Sequence, residues 1–189
     1  MASFATPAEL SAYTKGNISP TDGRSQLILN GASEAIRRYA GWNIAPAEDV
    51  TVTLDGGGSV LYLPSLKVNS LAAITIDGTP VDLSRVEWSR RTGNVRWKPR
   101  ENWSTYWRET WGGIEVTFNS GYAETPADLK SVVLQVSSIA LSSPTGATRE
   151  QAGQVAIEWA TTAPGVAGGL SLLARDLAVV NSYRLPKEV

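Results

Sequence analysis

The chain has 189 residues, 42% of them apolar and 19% charged, with a formal net charge of −1, enough to bury a proper core as one domain or one domain with an insertion. It contains no cysteine and no histidine, which excludes disulfides, thiolate chemistry and cysteine-ligated metal centres and removes the usual metal ligand and neutral-pH proton shuttle. No apolar run approaches the ~18 residues of a membrane span, the opening MASFATPAEL has no secretory pattern, and the near-neutral balance argues against a protein that grips nucleic acid over its whole surface.

One helix-starting device recurs along the chain, as Thr6-Pro7-Ala8-Glu9, Ser19-Pro20-Thr21-Asp22 and Thr125-Pro126-Ala127-Asp128. Each offers a hydroxyl at the N-cap, proline at the first helical position and a carboxylate at the third, facing the unpaired amides. The first predicts a short helix over 6–14, ended by Lys15-Gly16-Asn17. The second predicts a longer one, with Ile28, Ala32, Ala35, Ile36 and Tyr39 as its apolar stripe, Arg37 and Arg38 near its C-terminal end and Gly41 as terminator.

From Val50 the apolar period changes to two. Val50/Val52/Leu54, Ile74/Ile76, Val86/Trp88, Val95/Trp97 and Ile114/Val116/Phe118 predict short antiparallel strands, arranged as a small sandwich or curled sheet. Asp55-Gly56-Gly57-Gly58, Asp77-Gly78, Thr92-Gly93-Asn94 and Trp111-Gly112-Gly113 carry turn chemistry, the first as a hairpin turn. The third helix start then leads a stripe of Leu129, Val132, Val133, Val136 and Ala140, stopped by Ser142-Ser143-Pro144. Residues 145–168 carry no clear assignment beyond alternating Val155, Ile157 and Trp159, which allow a lone strand or hairpin arm. Gly165 to Gly169 reads as a flexible run, followed by a last helix with Leu170, Leu173, Ala174 and Leu177 on one face. Tyr183-Arg184-Leu185-Pro186 cannot continue that helix and is expected to leave the body as a flexible tail. The predicted class is α+β: a helical bundle of residues 1–45 and 123–189, with an antiparallel β-sheet module inserted at 46–122.

No constellation for catalysis emerges. Gly56-Gly57-Gly58 lacks the lysine and Ser/Thr of a phosphate loop. A Ser–His–Asp arrangement is impossible without histidine, and the carboxylates are scattered, several of them at helix starts. A carboxylate-based hydrolase would need two facing acids, which nothing in the spacing supports, so we expect no enzyme, catalytic residue, metal or cofactor. The oddest composition is WKPRENWSTYWRETW, with Trp97, Trp103, Tyr106, Trp107 and Trp111 in an expected long hairpin loop. Residues 85–109 hold seven cations against three anions, leaving five net negative charges on the remainder of the chain. Three readings fit this segment: tryptophans filling the sandwich core beneath solvated charges, a protein–protein surface, or a stacking platform for single-stranded nucleic acid or sugar rings. The C-terminal Tyr183, Arg184 and Leu185 likewise read either as a frayed end or as a cluster suited to a partner's groove.

The run VLYLPSLKVNSLAAITIDGTPVD (60–82), the strand, Gly-Tyr turn and capped helix of IEVTFNSGYAETPADLKSVVLQV (114–136), Gln151-Ala152-Gly153-Gln154-Val155 and the closing Ser182-Tyr183-Arg184 add up to a pattern. The chain resembles the head-to-tail connector, or adaptor, proteins of long-tailed bacteriophages, in particular members with a β insertion between helices. The resemblance implies a structural virion protein at the neck between capsid and tail, made in the host cytoplasm. It implies a ring of typically twelve copies beneath the portal protein, with a further connector, stopper or tail protein below. Genome DNA would pass through the lumen without specific binding. It also implies that Ser182, Tyr183, Arg184 and Leu185 dock on the portal. A glycan- or single-stranded nucleic-acid-binding module, using the Trp-rich loop, is the alternative from another class.

Overall fold

The computed structural model describes residues 2–99, 105–142, 149–152, 155–158 and 174–186. In chain order they form α1 (Pro7–Tyr13), α2 (Gly23–Ala40), β1 (Glu48–Leu54), β2 (Val60–Tyr62), β3 (Val68–Ile76), β4 (Thr79–Pro80) and a 3₁₀ turn at Leu83–Arg85. There follow β5 (Val86–Trp88), β6 (Asn94–Trp97), β7 (Ile114–Ser120), α3 (Ala127–Ser142), β8 (Arg149–Ala152), β9 (Val155–Glu158) and α4 (Ala174–Asn181). The class is α+β, as the sequence predicts. Two compact units divide the chain: Met1–Ala40 with Thr125–Arg184, and Gly41–Glu124 with Leu185–Val189.

In the helical unit the three expected helix starts differ. Thr6 caps α1 in full: its hydroxyl accepts from the Glu9 amide at 3.2 Å, and the Glu9 carboxylate accepts from the Thr6 amide at 2.8 Å. At α3, the Lys130 amide donates to the Pro126 carbonyl at 2.9 Å, so Pro126 stands at the N-cap, one position before the expected first helical place, and the helix begins at Ala127. The Asp128 carboxylate accepts from the Leu129 amide at 2.8 Å. The Ser19-Pro20 start is corrected. There, Ser19 and Thr21 bond each other through their hydroxyls, and α2 begins only after Asp22. The Asp22 carboxylate accepts from the Arg24 amide at 3.0 Å in an Asx-type turn, a local alternative that takes over the capping role.

The buried stripe of α2 is also rotated from the expected one. Ala35 and Tyr39 face outward, and the inward face is Ser25, Leu29, Ala32, Ser33, Ile36, Arg37 and Ala40. Of its three polar residues, Ser33 and Arg37 lie inside because the N-terminal segment supplies their partners. The Ser33 hydroxyl accepts from the Phe4 amide at 2.9 Å, and Arg37 donates to the Ala2 carbonyl while lying 4.2 Å over the buried Phe4 ring. Arg37 therefore pins the N-terminal segment as well as standing in the last turn of α2, where a cation suits the helix dipole. The stripe of α3 is as expected, with Leu129, Val132, Val133, Val136 and Ala140 all buried. On α4 the buried residues are Asp176 and Val180, whereas Ala174 is exposed; Leu170, Leu173 and the Gly165–Gly169 run lie outside the described residues. The alternation near Val155 and Ile157 becomes a two-stranded hairpin, β8 against β9, with Trp159 outside the described residues.

The β unit holds two antiparallel sheets, one in the order β1-β7-β3-β4 and the other β2-β6-β5. Alternation explains their shared core: Ile114, Val116 and Phe118 of β7 face inward with Ile74 of β3, and meet Leu61 of β2, Val86 of β5 and Val95 of β6. Each such side chain contributes roughly 1.5–3 kcal/mol on full burial. Asp77 and Gly78, with φ of 49° and 75°, make the two-residue turn between β3 and β4 that matches strand twist.

Two expected hairpins are corrected. The glycine run 56–58 links β1 to β2, and residues 98–113 link β6 to β7; both connections pass from one sheet to the other. The two crossovers bond to each other. The Gly56 amide donates to the Thr110 carbonyl at 2.8 Å, Gly57 to Trp107 at 3.2 Å, and Trp107 to Gly58 at 2.8 Å. A Cβ at Gly56 would stand 1.9 Å from the Arg108 carbonyl oxygen, so this position needs glycine for close backbone approach rather than for a hairpin.

Candidate functional site: the C-terminal segment and the aromatic loop

The C-terminal candidates do not extend away from the helical unit. Past α4, the amides of Ser182, Tyr183 and Arg184 donate to the Val179, Val180 and Asn181 carbonyls at 3.1, 3.1 and 3.2 Å, so the chain keeps turning instead of fraying. The Ser182 hydroxyl donates to the Val179 carbonyl at 2.7 Å. The Tyr183 hydroxyl then donates to both oxygens of Asp128, at 2.8 and 3.0 Å, in the first turn of α3. Arg184 lies 4.9 Å over the ring of Tyr39 on α2, and the Tyr39 hydroxyl donates to the Asn181 side-chain carbonyl at 2.6 Å. Within the β unit, Leu185 lies over Gly41, 3.6 Å from where a Cβ would stand. Tyr183, Arg184 and Leu185 are all half-buried. A segment expected as a free tail is thus held on α2 and α3.

Three partners in this arrangement escaped the sequence. Asp128 reads as a helix-start acid and Tyr39 as part of an apolar stripe, while Asn181 carries no pattern. Their second roles depend on side chains 55 and 142 positions apart in the chain, a separation no local period encodes.

The aromatic loop divides in two. Trp107 is 1% exposed and packs on Trp97 with ring centroids 4.6 Å apart and planes tilted by 33°, so this pair fills the β core. Tyr106 and Trp111 point outward, 64% and 88% exposed. Trp103 lies outside the described residues. The described part of the loop is held at its backbone: beyond the bonds of Trp107 and Thr110 to the glycine run, the Gly112 amide donates to the Asp55 carboxylate at 2.6 Å. Much of the local positive charge is engaged within the unit. Arg85 stacks 5.4 Å over Trp97, Arg90 lies 5.8 Å over Trp88, Arg96 pairs with Glu87, and Arg108 reaches Asp77 at 3.1 Å. The Lys98 ammonium donates to the Ser84 carbonyl at 2.7 Å.

One carboxylate has a displaced titration. Glu9 is held below its ordinary range, chiefly by the Lys130 ammonium bonding it at 2.7 Å and next by the Thr6 amide, against a smaller opposing effect of burial. Its surroundings are those of a structural cap rather than a proton donor. Among the described residues, no group of three or more carboxylates is placed to hold a metal ion.

No protein-family model matches the sequence, and no curated protein does. Solved structures do match. The fold is similar to a chain in the neck of an empty gene transfer agent particle, computed with C6 symmetry, with a TM-score of 0.62 at 15% identity over 98% of this chain and 91% of that one. A chain in the virion of the native gene transfer agent particle gives the same values. In the neck of the native particle, computed with C12 symmetry, the TM-score is 0.53 at 15% identity over 98% and 94% of the two chains. The chain therefore has, along nearly its whole length, the fold of chains found in gene transfer agent particles and their necks.

Proposed function

We propose that the protein is a head-to-tail adaptor of a phage-like particle. It forms a ring beneath the portal, joins capsid to tail and leaves a channel through which genome DNA passes. The observation that carries this reading is the end-to-end likeness to a neck chain, helical segments and β insertion together, over 98% of the sequence. The six- and twelve-fold symmetries of the similar assemblies support a ring, probed most simply as twelve copies. A closed ring needs two different, complementary faces on each subunit. In this reading residues 1–45 and 123–189 form the collar, and residues 46–122 enlarge contacts with neighbouring copies or with the capsid. The role is structural and involves no catalysis. A net charge of −1 suits a conduit, because each phosphate neutralised would add affinity and retard transit.

Portal attachment is assigned to Ser182, Tyr183, Arg184 and Leu185, an aromatic, cationic and aliphatic cluster of the kind that anchors interfaces. The test is co-sedimentation with portal-bearing heads. The full chain is expected to sediment with the heads, and a chain lacking Tyr183–Val189 to remain in the supernatant while keeping its helical circular dichroism. Equal co-sedimentation of both would refute the assignment.

A further inference from the structure

Two of the residues assigned to portal docking, Tyr183 and Arg184, are engaged inside the helical unit. Tyr183 gives its hydroxyl proton to Asp128, Arg184 covers Tyr39, and Tyr39 in turn holds Asn181, the last residue of α4. These contacts join α2, the start of α3 and the end of α4 through side chains alone. None is deeply buried: Tyr39 is 37% exposed and Asp128 is exposed. Such contacts are strong enough to order a chain end and weak enough to be exchanged.

We propose that Tyr183–Arg184 is a latch. In the free protein it is closed on Asp128 and Tyr39, and docking on a portal replaces these internal contacts with intermolecular ones. The proposal rests on the portal-docking reading above and adds its regulation. The single Tyr183 hydroxyl proton, given to Asp128, cannot also be donated to a partner, and the guanidinium face lying on Tyr39 cannot also stack on a partner's ring. The closed and docked states therefore compete, and the observed affinity is the intrinsic one reduced by the fraction of open molecules. Free copies would keep their docking segment covered, and attachment would be favoured only where the portal offers a better set of partners.

The test weakens the receiving side and leaves the docking residues intact. Tyr39→Leu removes the aromatic face and the bond to Asn181, and Asp128→Asn replaces an ionised acceptor by a neutral one. Neither position belongs to the buried core, so both full-length variants should fold. Two measurements are made on each, amide hydrogen exchange at residues 182–184 of the isolated protein and affinity for portal-bearing heads. The latch predicts exchange about tenfold faster at these amides, unchanged exchange along α3, and binding roughly three- to tenfold tighter than that of the parent chain, the range expected from losing one or two exposed contacts. Faster exchange with unchanged affinity would overturn the competition, and unchanged exchange would overturn the latch. If parent and variants alike fail to bind heads, the portal assignment itself falls, a result distinct from equal binding by all three.

Discussion

At the scale of single residues, the tryptophans carry opposite loads despite lying in one short run. Trp107 is enclosed by the β core, and truncating it leaves a cavity that the glycine-pinned backbone cannot collapse into. Trp107→Ala is therefore expected to cost about 3–5 kcal/mol in urea unfolding, whereas Trp111→Ala, 88% exposed in the parent, should stay within ~0.5 kcal/mol. Comparable losses at the two positions would contradict the division of the loop. The sequence shows that such a cluster exists and that part of it could be core. It does not show which members, because burial there is decided by a crossover between sheets rather than by strand alternation. The same limit applies to Arg37 and Ser33: hydrophobic spacing reads polar side chains as outward, and their partners lie about thirty positions upstream.

At the scale of elements, Glu9 ties two of them. It completes the cap of α1 and accepts from Lys130 in the first turn of α3 at 2.7 Å. Its folded-state pKa is lowered, so the stabilisation it gives is fully present above the ordinary value near 4.5 and is lost as pH falls through the lowered value. Glu9→Gln keeps an oxygen for the cap and removes the ion pair. With the carboxylate 38% exposed, the loss at pH 7 is discounted for screening to about 0.5–1 kcal/mol. The gap between parent and variant in chemical unfolding should hold from pH 7 to about pH 5 and narrow as pH falls below the ordinary value through the lowered one; a gap that did not narrow on acidification would contradict the linkage. Elements with a strong local signal were legible from sequence: the capping box of α1, the stripe of α3, and the alternation of β1, β3 and β7. The start of α2 was not, because Asp22 offers the backbone a competing turn. The two sheet-to-sheet crossovers were not either, since Gly-rich connections have the same composition whether they close a hairpin or accommodate another backbone.

At the scale of the whole molecule, the α+β class follows from the change of period after the second helix and the return to helical spacing after residue 125. The likeness to neck chains at 15% identity shows that the fold is shared along nearly the whole chain although few residues are identical. The C-terminal segment is the point where the composition was informative and its placement was not. Its aromatic and cationic residues were evident, but their internal partners depend on the packing of α2, α3 and α4, which sequence spacing does not define.

The most direct measurement is cryo-electron microscopy of phage-like particles assembled with this protein as their source of adaptor. The account predicts density for a closed ring of this chain at the portal vertex, with Tyr183 released from Asp128, Arg184 released from Tyr39, and both seated on the portal. Particles whose portal vertex lacks the chain, or which carry it elsewhere on the capsid, would contradict the account.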